Sequence, residues 1–144
     1  MQKTTPQTVA NAVSLTTTLA ARGDAIPVLG LASVLLQVAY AVGTGGTGAE
    51  YDFELSGAVA EPSTDAQWWP AEALSDQSGT ASAGVLVAPR ARVVHQLVTA
   101  EPRQAHPIDL RGARWLRVRA RETTSSSISA AGTFTVTAYG QTGA

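Results

Sequence analysis

The feature that most constrains the fold is the strict alternation of apolar and polar side chains in segments of strand length. In segment 51–56 (YDFELS) the apolar residues occupy the odd positions and the polar residues the even ones. Successive side chains of a β-strand point to opposite faces, so this segment is predicted to be a strand with one face on a core. Segment 114–121 (RWLRVRAR) repeats the pattern, with Leu116, Val118 and Ala120 on one face.

Similar patterns predict five further strands, in segments 12–20, 31–43, 84–88, 92–99 and 132–139. The intervening residues are rich in Gly, Pro, Ser and Asp, which favours turns at 21–24 and 44–48 and loops at 61–83 and 100–107. A short helical turn is predicted near Pro70. About seven to eight short strands without a long helix indicate an all-β fold, an antiparallel two-sheet sandwich, and we expect a jelly roll.

The chain has 144 residues, which favours one domain with a core of its own. The threonine-rich segment 1–10 lacks a core pattern, so we expect an N-terminal arm there and a single β-sandwich domain over residues 11–144. We expect no signal peptide, because Thr, Ser and Gln interrupt the apolar residues of the N-terminal segment. We expect no membrane span, because Ser33 and Gln37 interrupt the longest apolar stretch, 31–42, and a span needs roughly 20 residues.

Charge and cysteine content exclude several classes of function. Ten basic and eleven acidic residues give a formal net charge of −1, which provides no long-range attraction to nucleic acid or to anionic membranes. The chain has no cysteine, so disulfides, thiolate catalysis and cysteine-ligated metal sites are excluded.

Half of the basic residues are arginines within segment 111–121. A basic row headed by a tryptophan resembles a surface for single-stranded nucleic acid. The acidic net charge favours the alternative, that these arginines bind carboxylates of neighbouring strands or subunits, with Asp52 and Glu54 as expected partners. We therefore predict a protein-contact surface and no direct contact with nucleic acid. It comprises Arg114, Trp115, Arg117, Arg119 and Arg121.

Trp68 and Trp69 form an aromatic pair in the long loop and are added to the predicted contact surface. Such a pair closes the end of a sandwich or anchors a subunit contact, and the alternative is a platform on which a sugar ring stacks.

Catalytic motifs are not found in the sequence. His95 and His106 are the two histidines, and no third ligand stands at metal-like spacing, so no metal site is predicted. Asp52 and Glu54 share a strand face, which ion pairing explains more simply than glycoside hydrolysis. We expect a protein that is not an enzyme and uses no cofactor.

Several stretches together resemble a known class of virion protein. They are the threonine-rich start, an IPVLG run before a long apolar strand, a Gly-rich hairpin, a Trp-bearing loop, and the ending DLRGARWLRVRARETTSSS…AAGTFTVTAYG. This combination resembles capsid decoration (head auxiliary) proteins of tailed bacteriophages.

The resemblance implies a non-enzymatic jelly-roll-like protein, a homo-oligomer with a trimer favoured, that binds the major capsid protein and stabilises the shell. It also implies a location on the capsid exterior, with a soluble form in the host cytoplasm before assembly. Deletion of segment 1–10 would then weaken attachment and leave the fold intact. The alternatives are a carbohydrate-binding or receptor-binding module that uses Trp68, Trp69 and Tyr51, and a phage tail or baseplate component.

Overall fold

The computed structural model describes residues 5–72, 81–82, 85–86 and 92–143. Its strands in chain order are β1 (Gln7–Ser14), β2 (Ala20–Pro27), β3 (Ser33–Ala41), β4 (Gly46–Ser56), β5 (Trp69–Pro70), β6 (Ala81–Ser82), β7 (Val85–Leu86), β8 (His95–Val98), β9 (Arg103–Asp109), β10 (Trp115–Thr124) and β11 (Thr133–Gln141). A 3-10 turn, Asp65–Gln67, precedes β5.

Nine of these strands form two antiparallel sheets, and β6 and β7 form a separate hairpin. Sheet I has the order β1-β11-β3-β9, and sheet II has the order β2-β10-β4, with β5 and β8 both pairing with the outer edge of β4. With the short β5 left out, the chain passes from one sheet to the other at each successive strand, and the one exception is β8, which follows β4 in sheet II. The first strand, β1, pairs with the last, β11. This is the connectivity of a jelly roll. The predicted all-β sandwich is confirmed.

The core lies between the two sheets and is built from the inward positions of the long strands. Every second residue of β3, β10 and β11 is buried, as the alternation in the sequence predicts. The largest fully buried apolar side chains are Leu15, Leu36, Tyr51, Leu97, Ile108, Leu110, Leu116 and Phe134. Because these come from both sheets, the interior is a single apolar layer.

The N-terminal arm predicted at residues 1–10 overlaps the first strand. Residues 7–10 belong to β1, which pairs with β11, and Val9 and Ala10 are both 1% exposed. Bulges at Thr8/Ala10 and Ala10/Val13, with a positive φ at Ala12, break the alternation of β1 and hide it in the sequence. Deletion of segment 1–10 is therefore expected to destabilise the fold, contrary to the expectation from the sequence.

Two further elements differ from the prediction. Gly23 and Asp24 lie in a bulge inside β2 rather than in a turn, and the chain turns at residues 17–18 instead. The bulge requires glycine, because φ of Gly23 is +68° and a Cβ there would overlap the backbone carbonyl of Val9. Segment 100–107, predicted as a loop, contributes most of β9, an edge strand in which Pro107 is tolerated.

The long loop is only partly described. Within it, the short helical turn lies at Asp65–Gln67, and Pro70 belongs to β5 instead. The remainder of the predicted turn at residues 73–74, and most of the strand predicted at 84–88, lie outside the described residues. Among the described residues, no helix has the length and hydropathy needed to cross a membrane.

Candidate functional site

The arginine-rich face of β10 lies beside the acidic face of β4 in sheet II. The strand register places each arginine directly opposite a carboxylate. The pairs are Arg117 with Glu54, Arg119 with Asp52, and Arg121 with Glu50. We call this set the arginine–carboxylate ladder. The expected pairing of the arginines with Asp52 and Glu54 is thus observed within one chain.

The central pair of the ladder has two-point geometry. Arg119 donates from Nε to Asp52 Oδ1 at 3.0 Å and from Nη2 to Oδ2 at 2.7 Å. Two parallel charge-assisted hydrogen bonds fix the orientation of both groups. The hydrogen bonds that Arg119 donates to Asp52 raise the pKa of Arg119, so its positive charge is secure. Arg117 donates from Nε to Glu54 Oε1 at 2.7 Å.

Part of the long loop covers one end of the ladder. The indole ring of Trp68 lies 4.6 Å from the guanidinium carbon of Arg117, a cation–π arrangement, and Trp68 is 6% exposed. Arg117 also donates to Asp65 Oδ1 at 3.0 Å. Trp68 is therefore a packing anchor on the outer face of sheet II.

The carboxylates under this cover are almost inaccessible to water. Asp52 is 1% exposed and Glu54 3% exposed, although both point away from the core. Arg92, which precedes β8, approaches them with Nη1 3.0 Å from Glu54 Oε2 and 3.5 Å from Asp52 Oδ2. Asp52 and Glu54 do not form a solvent-exposed catalytic pair, because both carboxylates are buried and ion-paired with arginines.

The remaining residues of the predicted contact surface are dispersed. Arg114 and Trp115 are half-buried at the start of β10, where the backbone amide of Arg114 donates to the Ser56 carbonyl. Trp69 is 69% exposed and pairs with Leu55 at the edge of sheet II. Trp68 and Trp69 therefore have different environments, one buried and one exposed. Tyr51 is fully buried and is unavailable for stacking on a sugar.

Beside Trp69 lies a cleft of about 300 Å³. Its walls include Pro70, Gly112, and the exposed side chains of Asp109 and Arg111. An exposed indole next to both an acidic and a basic group is an arrangement that can bind a polyhydroxylated ring.

The outer face of sheet I has a different character from that of sheet II. No charged residue is present in β1, β3 or β11, all of which are fully described. The outward residues of the two central strands are Ser33, Leu35, Gln37, Ala39, Ala41, Thr133, Thr135, Thr137, Tyr139 and Gln141. We call this surface the threonine face. A shallow groove of about 510 Å³ crosses it toward β9.

The core also contains a buried carboxylate, Glu122, that the sequence did not predict. Glu122 lies on the inward side of β10 and accepts hydrogen bonds from the backbone amides of Gly132 at 2.9 Å and Gly43 at 3.3 Å. It also accepts one from the Tyr40 hydroxyl, and burial together with Glu122 raises the pKa of Tyr40. The group ties the ends of three strands together, so its role is structural.

The two histidines, for which the sequence predicts no metal site, lie together. His95 of β8 and His106 of β9 have ring centroids 4.0 Å apart, and His95 Nε2 is 2.9 Å from Glu72 Oε1. One ligand atom from each of these three residues lies within 4.8 Å of the others. Glu72 is the third residue with a metal-ligating atom at this point, and the sequence did not reveal it. Inward positions on consecutive strands are the signal that would have placed the two histidines together.

Comparisons with known proteins show little. No protein-family model matches the chain, and no curated protein sequence is similar to it. A solved structure of Bacillus endospore appendages, described as a novel family of disulfide-linked pili, has 14% identity and a TM-score of 0.46 over 100% of this chain and 93% of that chain. None of these findings points to a bacteriophage capsid protein, so that resemblance stays a prediction. The fold itself defines an all-β jelly-roll protein.

Proposed function

We propose that this chain is a non-enzymatic structural protein that acts through protein–protein contact in an ordered assembly, and that it docks through the threonine face. In its specific form, the proposal is a virion protein that binds the major capsid protein on the capsid exterior and stabilises the shell, with a homotrimer as the soluble unit.

The absence of charge from β1, β3 and β11 is the observation that carries this proposal. Protein interfaces are depleted of charged residues at their centres and enriched in aromatic ones. The threonine face fits this composition, with Leu35 and Tyr139 as its largest outward side chains. The exposed charges of sheet I lie on its edge strand β9, at Arg103 and Asp109, so the uncharged surface is confined to β1, β3 and β11.

The outer face of sheet II supports the same assignment by contrast. The arginines of the ladder are already paired within the chain. Arg92 adds one positive charge to this network and Asp65 adds one negative charge, so its positive and negative charges stay equal in number. A paired ladder presents little net positive charge to a phosphate backbone. The ladder therefore favours a structural role for these arginines over nucleic-acid binding. This leaves the threonine face as the proposed docking surface.

The first experiment is the molar mass of the purified protein by light scattering over a concentration series. A trimer would have three times the chain mass of 14.8 kDa. The substitution Thr137→Arg places a charge at the centre of the threonine face and is expected to yield monomers. The matched control is Thr17→Arg, at an exposed turn position outside both sheets, which should leave the mass unchanged.

Shell binding is tested separately, by cosedimentation with particles formed by the shell protein of the same virion. Thr137→Arg should reduce the bound fraction and Thr17→Arg should not. Docking through the threonine face is refuted if the wild-type protein is a monomer and the Thr137→Arg and Thr17→Arg variants bind to the particles equally strongly.

Exposed Trp69 favours a second candidate function, carbohydrate binding at the cleft beside it. Trp69→Ala is then expected to abolish binding on a glycan array without lowering the melting temperature. The matched control, Trp68→Ala, should lower the melting temperature because it uncovers Arg117. A wild-type protein that binds no glycan on the array would exclude this candidate.

A further inference from the structure

The cluster of His95, His106 and Glu72 lies where the edges of the two sheets meet. His106 points inward from β9, the edge strand of sheet I, and His95 points inward from β8, at the edge of sheet II. Glu72 follows β5 and reaches the same place from the long loop. Three separate segments thus converge on one point, with a ligand atom from each within 4.8 Å of the others.

A chain of hydrogen bonds orients His106 from behind. Gln104 donates from Nε2 to the Gln96 carbonyl at 2.9 Å, which fixes its amide so that Oε1 faces Tyr51. The Tyr51 hydroxyl donates to that oxygen at 2.7 Å. It therefore accepts from His106 Nε2–H, 2.6 Å away. This puts the proton on Nε2 and leaves the lone pair of the imidazole on Nδ1.

Such a partner behind the ring is a usual feature of metal-binding histidines. The partner fixes the tautomer and the ring orientation, and its removal typically weakens metal binding about 10- to 100-fold. Here the partner is the buried hydroxyl of Tyr51, which lies 2.6 Å from His106 Nε2.

The electrostatics suit a cation. Glu72 adds a carboxylate to the two imidazoles. His95 and Glu72 retain 16% and 34% side-chain exposure, which leaves a route from solvent to the cluster.

We propose that Glu72, His95 and His106 form a binding site for a divalent transition-metal ion of the borderline class, with Zn²⁺ as the best fit. Two imidazoles and one carboxylate are a recognised zinc donor set, with a fourth position open to water or to another ligand. Mg²⁺ and Ca²⁺ prefer all-oxygen ligands and fit less well.

The distances require only small side-chain movements. Zinc–ligand bonds of about 2.0–2.1 Å in a tetrahedron place neighbouring ligand atoms about 3.4 Å apart. His95 Nε2 and Glu72 Oε1 are 2.9 Å apart, and the widest separation within the cluster does not exceed 4.8 Å. Rotation about side-chain bonds can accommodate these changes, with the strands left in place.

A bound ion would join β9 of sheet I to β8 of sheet II and to the segment after β5. An ion that binds the folded chain and not the unfolded chain adds its binding free energy to the stability of the fold. Zinc is therefore expected to act as a clamp on the open edge of the sandwich.

The experiment uses the full chain after dialysis against EDTA. Titration calorimetry with ZnCl₂ is expected to show one equivalent bound, and the melting temperature should rise with added Zn²⁺ and not with Mg²⁺. The variants His95→Gln and Glu72→Gln should each bind Zn²⁺ at least tenfold more weakly. The matched control, Glu61→Gln, removes an exposed carboxylate elsewhere and should bind as wild type does.

Two further measurements separate binding at this cluster from effects on folding. The melting temperature of each variant in EDTA reports on the fold alone, and Glu72→Gln is a substitution at a partly exposed position that should preserve it. Co²⁺ added to the wild type should give a visible absorption spectrum typical of four-coordinate cobalt. Tyr51→Phe keeps the buried ring and should weaken Zn²⁺ binding about 10- to 100-fold.

The proposal is overturned if the wild-type chain takes up no Zn²⁺, or if His95→Gln and Glu72→Gln both bind it as tightly as Glu61→Gln does. In the first case the three residues are the His95–Glu72 pair with a second histidine beside it. In the second, zinc binds at another place on the surface.

Discussion

Substitution of Arg119 by methionine tests whether the arginine–carboxylate ladder stabilises the fold. Methionine keeps much of the aliphatic length of the side chain and removes its charge. The change leaves Asp52, which is 1% exposed, without its two-point partner. The nearest remaining cation is Arg92, at 3.5 Å from Asp52 Oδ2.

The expected cost follows from the burial of the carboxylate. Removal of one member of a buried ion pair typically costs about 3–5 kcal/mol, because the other charge stays buried and uncompensated. Arg119 itself is 24% exposed and Arg92 remains nearby, so we expect the lower end, about 3 kcal/mol. In a domain of this size, that loss lowers the melting temperature by roughly 6–12 °C.

A matched control lies on the same strand. Arg121 pairs with Glu50 in the same register, but these side chains are 41% and 22% exposed. Arg121→Met should therefore cost less than about 1 kcal/mol. Urea unfolding, followed by circular dichroism, gives both free energies.

A double-mutant cycle isolates the pair itself. Asp52→Asn combined with Arg119→Met removes both charges, and we expect a coupling energy of about 2 kcal/mol. The reasoning is refuted if Arg119→Met costs no more than Arg121→Met, or if the two changes at Asp52 and Arg119 are additive. Either result would mean that water screens the central pair despite its burial.

Three further predictions concern the core, the β2 bulge and the response to pH. Phe134→Ala, at a fully buried position, should cost about 3–5 kcal/mol in chemical denaturation. Gly23→Ala should destabilise the fold by more than about 1 kcal/mol in the same assay, because φ is +68° and the added Cβ would overlap the Val9 carbonyl. The control Gly57→Ala should be tolerated, because a Cβ at that position has no atom near it. The pKa of His106 is lowered in the folded chain, so the unfolded chain binds its proton first, and the free energy of unfolding should fall as the pH drops below about 6.5. His106→Gln should flatten that decrease, and an unchanged slope would contradict the burial argument.

The strands that the sequence revealed are those with undisturbed alternation. β4, β10 and β11 each contain a run with apolar residues at every second position, at 49–55, 116–120 and 134–138, and β3 is apolar enough to be recognised without strict alternation. β1 and β2 were displaced or missed because bulges insert extra residues, which shifts the pattern by one position. β9 was missed because Pro107 suggests a loop, although an edge strand tolerates proline.

The candidate sites were recovered only where they depend on strand faces. The outward row of arginines and its pairing with Asp52 and Glu54 were predicted because both strands alternate cleanly. The sequence did not reveal that the loop bearing Trp68 covers this row, since a contact between distant segments has no local pattern. The convergence of Glu72 with the two histidines was missed for the same reason.

The sequence by itself determined the class of fold, because a period of two and frequent turn residues leave little besides antiparallel sheets. It also determined which face of each regular strand is apolar. The tertiary structure alone decided the environment of the polar residues. Arginine–carboxylate pairs differ in burial along one ladder. Trp68 is buried while the adjacent Trp69 is exposed, and two histidines from different sheets lie side by side. Burial and long-range contacts depend on how the sheets and loops pack, which no local pattern encodes.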